Sequence, residues 1–278
     1  MTIKALYISD LDGTLLNSQK EISENTKKTL NALVARGGYF SVATARTAVS
    51  SQKILAGVQV NTPVVLMNGA VIYDMVDGTY IKAETIPPAA AYSIIEVIKK
   101  HNITGFMYSV ADNRLQIYYE SLNTTALTAY HNERVTKYAK SFEQIAGFSD
   151  KIKDNKVIYF AFMGQKQRLS ELLPDLKKLQ GIELVLSNDV YTENLWYLEV
   201  YSANASKYNA VNFIRNYCSF DRIIGFGDNV NDIPLLKACD EFYAVSNAVY
   251  ELKEQATGII ADNNSDGVAR FIVARREF

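Results

Sequence analysis

The chain has 278 residues, of which 48% are apolar and 21% are charged, and its formal net charge at pH 7 is −1. A chain of this length can bury a sizeable core, and its composition is that of a globular rather than a disordered protein. The near-neutral charge and the lack of a basic tract argue against nucleic acid as a partner. Two cysteines, Cys218 and Cys239, are too few for a disulfide framework or a zinc site.

The N-terminal sequence and the apolar runs indicate where the protein resides. No apolar run approaches the ~20 residues that a membrane-spanning helix needs. Only nine residues precede Asp10, the first residue of an acidic motif, which leaves no room for a signal peptide. We therefore expect a cytoplasmic protein that does not contact a membrane.

The first segment alternates strand and helix patterns. The predicted elements are the strand Lys4–Ser9, a helix from Ser23 or Thr26 to Arg36, the strand Tyr39–Ala43, a helix near Ala48–Leu55, and the strands Val64–Met67, Ala70–Tyr73 and Thr79–Glu84. The pair Gly37-Gly38 ends the first helix.

Pro87-Pro88 separates this segment from a different middle. The predicted elements there are the helix Ala89–His101, a hairpin of Thr104–Ser109 with Arg114–Tyr119, a helical stretch near Thr124–Ala139, the strand Val157–Met163, the helix Gln167–Leu179 and the strand Glu183–Ser187. A segment of about 115 residues is too long for a connecting loop. We interpret it as an inserted α+β cap domain, after which the strand Trp196–Tyr201 is expected to lead back to the core.

The last segment again alternates helix and strand patterns. The predicted elements are the helix Lys207–Tyr217, the strand Arg222–Phe226, a helix from Asp232 towards Ala238, the strand Phe242–Val245, the helix Tyr250–Gln255, the strand Ile259–Ala261 and a helix from Gly267. Such alternation predicts an α/β fold with a Rossmann-like, doubly wound parallel sheet. The expected core domain comprises residues 1–85 and 201–278, and the cap domain comprises residues 86–200.

Two carboxylates follow the first strand directly, in the sequence Asp10-Leu11-Asp12-Gly13-Thr14. Ligands of open α/β sheets bind beyond the carboxyl ends of the strands, so Asp10 and Asp12 are expected where ligands bind. Adjacent carboxylates repel each other unless a cation or a shared proton is present. Solvated turn acids are the alternative, but a second acidic cluster argues against it.

That second cluster is Gly227-Asp228-Asn229-Val230-Asn231-Asp232, which also follows a short apolar strand. Asp228 is expected at the strand tip, with Asn231 and Asp232 in the first helical turn. Four carboxylates in two such clusters offer hard oxygen ligands that suit Mg²⁺. The two histidines, His101 and His131, lie near neither cluster in the sequence.

Two further polar residues are expected near the same sheet edge, because each lies where a strand ends or where the next helix begins. Thr44 ends a strand, and Lys207 begins a helix after a strand-like stretch. Taken alone, Thr44 could be a helix cap and Lys207 a surface lysine. Their order along the chain, between the two acidic clusters, makes the pattern specific.

The order Asp-x-Asp-Gly-Thr, Thr, Lys and Gly-Asp-x-x-x-Asp resembles the haloacid dehalogenase superfamily. The form of the second cluster, together with Asn68-Gly69-Ala70 and Asp266-Gly267-Val268, is similar to the Cof-type subfamily IIB phosphatases. The resemblance covers roughly residues 4 to 84 and 202 to 272.

The resemblance implies a Mg²⁺-dependent phosphatase that acts through an aspartyl-phosphate. Asp10 would be the nucleophile, and Asp12 the general acid and base. Mg²⁺ would be held by Asp10, the main-chain carbonyl of Asp12, and Asp228, with Asp232 orienting these ligands or bound water from nearby. The groups implied for phosphoryl binding are the amides of Leu11 and Ala45 and the side chains of Thr44, Asn231 and Lys207.

The chain departs from the family pattern at two positions, where Ala45 and Tyr208 replace the usual glycines. Ala45 keeps its backbone amide, whereas Tyr208 places bulk beside the lysine. Arg46 has two open roles, contact with substrate or pairing with a surface acid. Asn68 is expected to shape the turn beside the site.

The substrate is expected to be a small phosphorylated metabolite, most plausibly a sugar phosphate, selected by the cap. Tyr118, Tyr119, Tyr191 and Trp196 are candidates for a cap surface that stacks on a sugar ring. The alternatives are a sugar phosphomutase, a non-catalytic phosphate-sensing receiver and a DxD glycosyltransferase. The sequence predicts neither the individual substrate nor the oligomeric state.

Overall fold

A computed structural model describes residues 3–138, 141–153, 156–189 and 192–275. The strands are β1 Ala5–Ser9, β2 Tyr39–Val42, β3 Val64–Leu66, β4 Val71–Asp74, β5 Thr79–Ala83, β6 Phe106–Ala111, β7 Arg114–Tyr119, β8 Phe142–Gln144, β9 Lys156–Gly164, β10 Ile182–Asn188, β11 Trp196–Ser202, β12 Arg222–Gly227, β13 Glu241–Val245 and β14 Gly258–Ile260. The helices are α1 Glu24–Ala35, α2 Ala48–Ile54, α3 Pro88–Lys100, α4 Thr125–Tyr138, α5 Phe148–Ile152, α6 Lys166–Ser170, α7 Leu173–Leu176, α8 Lys207–Cys218, α9 Ile233–Ala238, α10 Tyr250–Lys253 and α11 Gly267–Arg275.

The chain divides into a larger unit, Met1–Lys82 with Ala205–Phe278, and a smaller unit, Ala83–Asn204. The larger unit contains a sheet of order β14-β13-β12-β1-β2, in which every neighbouring pair is parallel. A parallel bridge from Ala43 to Val65 joins β2 to β3. Strand β3 belongs to a second sheet, which has the order β3-β4-β5.

Strand β1 is central in the larger sheet because its side chains are apolar on both faces. Leu6 and Ile8 are buried in a hydrophobic core that they share with Val211 and Ile214 of α8. Tyr7 stacks on Phe226 of the neighbouring strand β12. Full burial of each aliphatic side chain stabilises the fold by roughly 1.5–3 kcal/mol, so the position of β1 is strongly determined.

The smaller unit has a sheet of order β10-β11-β9-β6-β7-β8, antiparallel except for the parallel pair β7 and β8. One face packs against α3, α5, α6 and α7 in a hydrophobic core that includes Leu198 and Val200 of β11. Successive strand residues alternate between faces, so Tyr197, Glu199 and Tyr201 of β11 lie on the opposite face.

Three details of the smaller unit differ from the sequence-based predictions. The stretch Gln167–Leu179 forms two short helices, α6 and α7, because Pro174 lies in the first turn of α7 and cannot donate the hydrogen bond of a continuous helix. Strand β11 pairs with β10 and β9 and so does not lead into the larger sheet. Strand β8 and helix α5 were not predicted.

The predicted boundary after residue 200 falls inside β11, where Tyr201 pairs with Tyr159 and Ser202 pairs with Ile182. The α/β fold with a parallel-sheet core and an inserted α+β unit is confirmed. In the described parts of the chain, no helix combines the length and the apolar character that crossing a membrane would require.

Candidate active site

The two acidic motifs meet because their strands are neighbours. Strands β1 and β12 pair in parallel, with Ser9 opposite Phe226, so Asp10 and Asp228 follow at the same sheet edge. The amide of Asp10 donates to the carbonyl oxygen of Phe226 at 2.9 Å. The sequence prediction that both carboxylates lie at the carboxyl ends of parallel strands agrees with this geometry.

The turn after Asp10 closes directly onto Asp228. Gly13 has a φ of +79°, and a Cβ added there would lie 2.4 Å from Asp228 Oδ2. One residue later, the Thr14 hydroxyl donates to Asp228 Oδ1 at 3.0 Å. A side chain at position 13 would therefore both strain the backbone and displace the Asp228 carboxylate.

Lys207 joins the two acidic motifs through a buried ion-pair network. Its Nζ donates to Asp10 Oδ1 at 2.7 Å and to Asp232 Oδ1 at 2.6 Å. The side chains of Lys207 and Asp232 are 1% and 0% exposed, so these bonds form away from water. A charged network at this depth is stable only when each member is paired, because an unpaired buried charge costs several kcal/mol.

The position of Lys207 depends on how α8 begins. Ser206 is the N-cap of α8, and its hydroxyl accepts the amide of Asn209 at 3.1 Å. Gly69, with a φ of +101°, lies so close that an added Cβ would be 2.2 Å from the Ser206 carbonyl oxygen. The absence of a side chain at Gly69 thus lets the β3–β4 turn pack against the start of this helix.

Asp232 uses both carboxylate oxygens within the protein. Oδ1 accepts from Lys207, and Oδ2 accepts the amides of Asp228 at 2.9 Å and Asn229 at 3.2 Å. Asp232 therefore holds the loop that presents Asp228 and orients the lysine.

Asp10, Asp228 and Asp232 each place a carboxylate oxygen within 4.8 Å of one another. Within the described residues, Oδ2 of Asp10 and Oδ2 of Asp228 have no hydrogen-bond partner. Two free carboxylate oxygens at the same sheet edge form a donor set that fits a hard divalent cation. The carboxylate of Asp12 does not belong to this group.

Burial changes the acidity of these side chains. Burial raises the pKa of Asp10 well above its ordinary value, although Lys207 opposes the change. Burial and the neighbouring Asp232 raise the pKa of Asp228 to about 6, against the hydrogen bond from Thr14. Burial would lower the pKa of Lys207, but the two carboxylates outweigh it and raise that pKa. The site therefore carries more negative charge than one lysine neutralises easily.

Asp12 forms a two-point ion pair with Arg46. Arg46 Nε donates to Asp12 Oδ2 at 2.6 Å, and Nη2 donates to Oδ1 at 2.5 Å. Asp12 is exposed, whereas Arg46 is partly buried. Of the two roles left open for Arg46, pairing with an acid is the one observed, and the acid is the proposed proton donor itself.

Thr44 lies at the end of β2, beside the turn that contains Asn68. Its amide donates to the carbonyl oxygen of Val65 at 2.9 Å, and its own carbonyl oxygen accepts a hydrogen bond from the amide of Asn68 at 3.0 Å. Its hydroxyl accepts the amide of Arg46 at 3.2 Å. Asn68 has a φ of +55°, which shapes the turn, and its buried Oδ1 has no hydrogen-bond partner in the described parts of the chain.

The other residues assigned to phosphoryl binding differ in exposure. Leu11 is buried, whereas Ala45 and Asn231 are exposed. Tyr208 is 43% exposed. Because much of its surface faces solvent, Tyr208 is not packed into the ion-pair network around Lys207.

The aromatic residues suggested for a cap surface have different environments. Tyr118 is buried in the core of the smaller unit, and Trp196 packs against that core. Tyr119 lies on the other face, edge-on to Phe106 at 6.2 Å. Tyr191 lies outside the described residues.

The sequence analysis did not identify two structural features. The first is the hydrogen bond from Thr14 to Asp228, for which the motif threonine itself was the available signal. The second is the tyrosine-rich face around Glu199 in the smaller unit. Its signal was the strict alternation in Trp196-Tyr197-Leu198-Glu199-Val200-Tyr201.

Residues 7–272 match the model of the haloacid dehalogenase-like hydrolase family. The pyridoxal phosphate phosphatase YbhA of Escherichia coli is 25% identical over 98% of this chain and 98% of its own. The 5-amino-6-(5-phospho-D-ribitylamino)uracil phosphatase YitU of Bacillus subtilis is 26% identical over 96% of both chains. The crystal structure of TM0651 from Thermotoga maritima superposes with a TM-score of 0.79 at 26% identity, covering 97% of this chain and 96% of that one.

The match spans both acidic motifs and the segment between them, and the relatives YbhA and YitU are named phosphatases. The resemblance inferred from the motifs, and with it the assignment to an enzyme class, is confirmed. The chain belongs to the haloacid dehalogenase-like hydrolases.

Proposed function

We propose that this protein is a Mg²⁺-dependent phosphatase that hydrolyses small phosphorylated metabolites, in particular sugar phosphates, through an aspartyl-phosphate on Asp10. The observation that carries the proposal is the environment of Asp10. This carboxylate lies at a strand tip beside Asp228 and accepts from the buried Lys207 through Oδ1, and its Oδ2 has no hydrogen-bond partner among the described residues.

Asp10 is suited to act as the nucleophile because its orientation is determined. The bond from Lys207 to Oδ1 leaves Oδ2 as the oxygen that attacks phosphorus. Attack releases the alcohol and leaves a phosphoryl group on Asp10, and water then cleaves that acyl phosphate to give inorganic phosphate. Lys207 balances charge throughout and thereby lowers the repulsion between carboxylate and phosphate.

Asp12 is suited to move the proton in both half-reactions. It would protonate the departing alkoxide oxygen and then take a proton from the attacking water. Arg46 donates to both oxygens of Asp12, which restricts the carboxylate to one orientation, and one of these two bonds would open so that Asp12 can carry the proton that it gives to the alkoxide. The exposure of Asp12 places it where it can reach a bound ester and solvent.

Asp10 and Asp228 would hold a divalent cation, which when bound would neutralise charge on the phosphoryl group. Mg²⁺ is the proposed ion because the donors are carboxylates and neither histidine nor cysteine takes part in this group. The main-chain carbonyl of Asp12 is the proposed third protein ligand. Thr44, Asn231, Lys207 and the amides of Leu11 and Ala45 are the proposed phosphoryl-binding groups.

Support for the substrate class comes from the division of the chain. The groups of the larger unit can recognise phosphate, cation and leaving oxygen, which every phosphate monoester shares. Discrimination would then fall to the smaller unit, residues 86–200 of the predicted cap. The two relatives act on pyridoxal phosphate and on a phospho-ribitylamino uracil, according to their names. Both names describe small phosphorylated compounds.

A metabolite screen tests the proposal. Purified protein with Mg²⁺ should release inorganic phosphate from several sugar phosphates, and a rapid acid quench should trap phosphate bound to the protein. Conversion of a hexose phosphate into an isomeric sugar phosphate, without phosphate release, would instead identify a phosphomutase. A phosphoenzyme that persisted for minutes with no turnover would identify a phosphate-sensing receiver.

A further inference from the structure

Two asparagines at the carboxyl edge of the larger sheet take no direct part in the proposed chemistry. Asn247 follows β13, and Asn263 follows β14. Both strands run parallel to the rest of this sheet, so the loops after them lie at the edge where β1 and β12 end. The fold therefore brings both asparagines to the acid-bearing turns. We call this pair of residues the asparagine clasp.

The side chain of Asn247 bridges two loops. Its Nδ2 donates to the carbonyl oxygen of Gly13 at 2.8 Å, and its Oδ1 accepts a hydrogen bond from the amide of Asn263 at 3.1 Å. A carbonyl partner requires a donor and an amide partner requires an acceptor, so only one orientation of the side-chain amide satisfies both bonds. Asn247 is therefore held in that orientation although the residue is exposed.

Asn263 contacts the other end of the same turn. Its Nδ2 donates to the carbonyl oxygen of Leu16 at 2.8 Å. The amide of Leu16 donates to the carbonyl oxygen of Leu11 at 2.9 Å, so residues 11–16 form one closed turn. The clasp thus holds this turn at two carbonyl oxygens, through two residues that are hydrogen-bonded to each other.

The orientation of the peptide after Gly13 affects the proposed cation ligands. Because a peptide bond is planar, a hydrogen bond to the Gly13 carbonyl also fixes the amide of Thr14. The Thr14 hydroxyl donates to Asp228 Oδ1, and a Cβ added at Gly13 would lie 2.4 Å from Asp228 Oδ2. The main-chain carbonyl of Asp12, the proposed third ligand, belongs to the peptide immediately before Gly13. A rotated turn would therefore move this carbonyl relative to the Asp228 carboxylate.

The loop that carries Asn247 also contacts the second acidic turn. The amide of Val249 donates to the carbonyl oxygen of Asp228 at 2.8 Å. Two residues of one short loop therefore donate to the two turns that carry the proposed ligands, one through its side chain and the other through its main chain. Such bonds order the two turns before a cation binds, which lowers the free-energy cost of binding.

We propose that the asparagine clasp positions the ligands of the divalent cation, with the larger effect at Asn247. The proposal rests on the cation site of the proposed function and adds two positioning residues to it. Neither asparagine is assigned as a ligand, since each acts through a main-chain carbonyl of the turn at residues 11–16. Loss of the clasp should therefore weaken binding of the cation more than it slows the reaction of the loaded protein.

Calorimetric titration of the metal-free protein with MgCl₂ tests the clasp without turnover. Asn247→Ala removes both bonds of that side chain, and Asn263→Ala removes the bond to Leu16. Phosphate release from p-nitrophenyl phosphate is measured in parallel over a range of Mg²⁺ concentrations. Circular dichroism shows whether each variant is folded.

Asn61→Ala is the matched control. The exposed Asn61 makes the same two kinds of hydrogen bond, because its Nδ2 donates to the carbonyl oxygen of Gly38 and its Oδ1 accepts from the amide of Phe40. These bonds lie at the amino end of β2, the opposite edge of the sheet from the acidic motifs. Asn61→Ala therefore reports what the loss of such bonds does to the fold alone.

Asn247→Ala should raise the dissociation constant for Mg²⁺ about 3- to 10-fold, the change expected from the loss of one or two hydrogen bonds. Asn263→Ala should raise it less, because the main-chain amide of Asn263 still donates to Asn247. Turnover of both variants should fall more at limiting than at saturating Mg²⁺, and Asn61→Ala should bind Mg²⁺ like the parent.

Three results would overturn the proposal. The first is a dissociation constant of folded Asn247→Ala equal to that of the parent. The second is the same loss of turnover at every Mg²⁺ concentration, which indicates a purely structural role. The third is equal weakening of Mg²⁺ binding by Asn61→Ala. If Asn247→Ala did not fold, Asn263→Ala would decide on the same readout, and unchanged binding would reject the clasp.

Binding and turnover together separate the clasp from the proposed function. If the parent bound Mg²⁺ but hydrolysed no phosphate ester, the phosphatase function would fail, and the binding comparison would still decide on the clasp. If the parent hydrolysed esters and the variants bound Mg²⁺ as tightly as the parent, only the clasp would fail. A parent protein that bound no Mg²⁺ would refute the cation site and the clasp together.

Discussion

The two units of the chain each bury carboxylates, but they compensate the charge differently. In the larger unit, Asp10 and Asp232 both accept from the buried Lys207, and Oδ2 of Asp10 and of Asp228 has no hydrogen-bond partner among the described residues. In the smaller unit, Glu199 accepts from a phenol and has no cationic partner in the described chain. A lysine and a metal ion would suit the proposed transfer of a phosphoryl group, whereas Glu199 accepts a hydrogen bond from a neutral phenol.

The comparison teaches that burial alone does not define the role of an acid. Burial raises the pKa of Asp10, Asp228 and Glu199 alike. The partners distinguish them, since one set of partners is charged and the other is neutral and aromatic. The following predictions test whether the larger unit carries the proposed chemistry and the smaller unit the proposed choice of substrate.

The largest effect is expected from Asp10→Asn, which should lower kcat by at least about 10⁴-fold because the amide cannot form the acyl phosphate. The side chain is nearly isosteric, so circular dichroism and thermal unfolding should show a folded protein. Asp77→Asn, at an exposed turn of the same unit, should retain parental activity. Near-normal hydrolysis by folded Asp10→Asn would refute the aspartyl-phosphate mechanism.

Removal of divalent metal should have the next largest effect. EDTA should reduce phosphate release by about 100-fold or more, and excess Mg²⁺ should restore it, because the site offers hard oxygen ligands. Ca²⁺ should bind but support turnover poorly, since its larger and looser coordination misplaces the reacting groups. Full turnover in metal-free buffer would contradict the proposed cation site.

The neighbours Tyr197 and Trp196 provide a paired test of the two faces of the smaller sheet. Tyr197→Ala should change relative kcat/KM among sugar phosphates by about 10–200-fold, the scale expected for one pocket contact. Trp196→Ala should instead lower the free energy of unfolding by about 2 kcal/mol, because Trp196 packs against the helix-covered core. Both are measured by substrate panels and urea unfolding, and an exchange of the two effects would refute the assignment of faces.

The smallest expected effect is that of Asp228→Asn on the free energy of unfolding, and this effect depends on pH. The folded pKa of Asp228, about 6, exceeds the ordinary 3.8, so the folded state holds this proton more tightly than the unfolded state does. The stability from this group is therefore present at low pH and is lost as pH rises from about 4 to about 6. Metal-free Asp228→Asn should be more stable than the parent at pH 7, by at most about 3 kcal/mol, and similar to it at pH 4.

Urea unfolding in EDTA at the two pH values measures that difference. Saturating Mg²⁺ should raise the midpoint of the parent and leave that of Asp228→Asn nearly unchanged, because the variant lacks one proposed ligand. Asp77→Asn serves as the control and should follow the parent at both pH values. A variant less stable than the parent at pH 7 without metal would contradict the assigned charge strain.

Much of the larger unit was predictable because its determinants are local or follow from chain order. The apolar runs of β1 and β12 predict buried parallel strands, and parallel strands end at one edge of a sheet. That rule predicts that Asp10 and Asp228 lie at one edge, and the pairing of β1 with β12 makes them neighbours. Lys207 was identified from its place at a helix start, although nothing local indicated that it contacts both Asp10 and Asp232.

The tertiary structure determined the hydrogen-bond partner of each polar side chain in the site. Asp12 pairs with Arg46, and Asp232 accepts two loop amides, because the fold brings these atoms within hydrogen-bond distance from separate turns. In the smaller unit, the alternation in Trp196–Ser202 indicated two faces, but only the packing of α3, α6 and α7 determined that Trp196 faces the core and Glu199 faces the tyrosines. Sequence periodicity specifies that residues share a face, whereas long-range packing specifies what that face contacts.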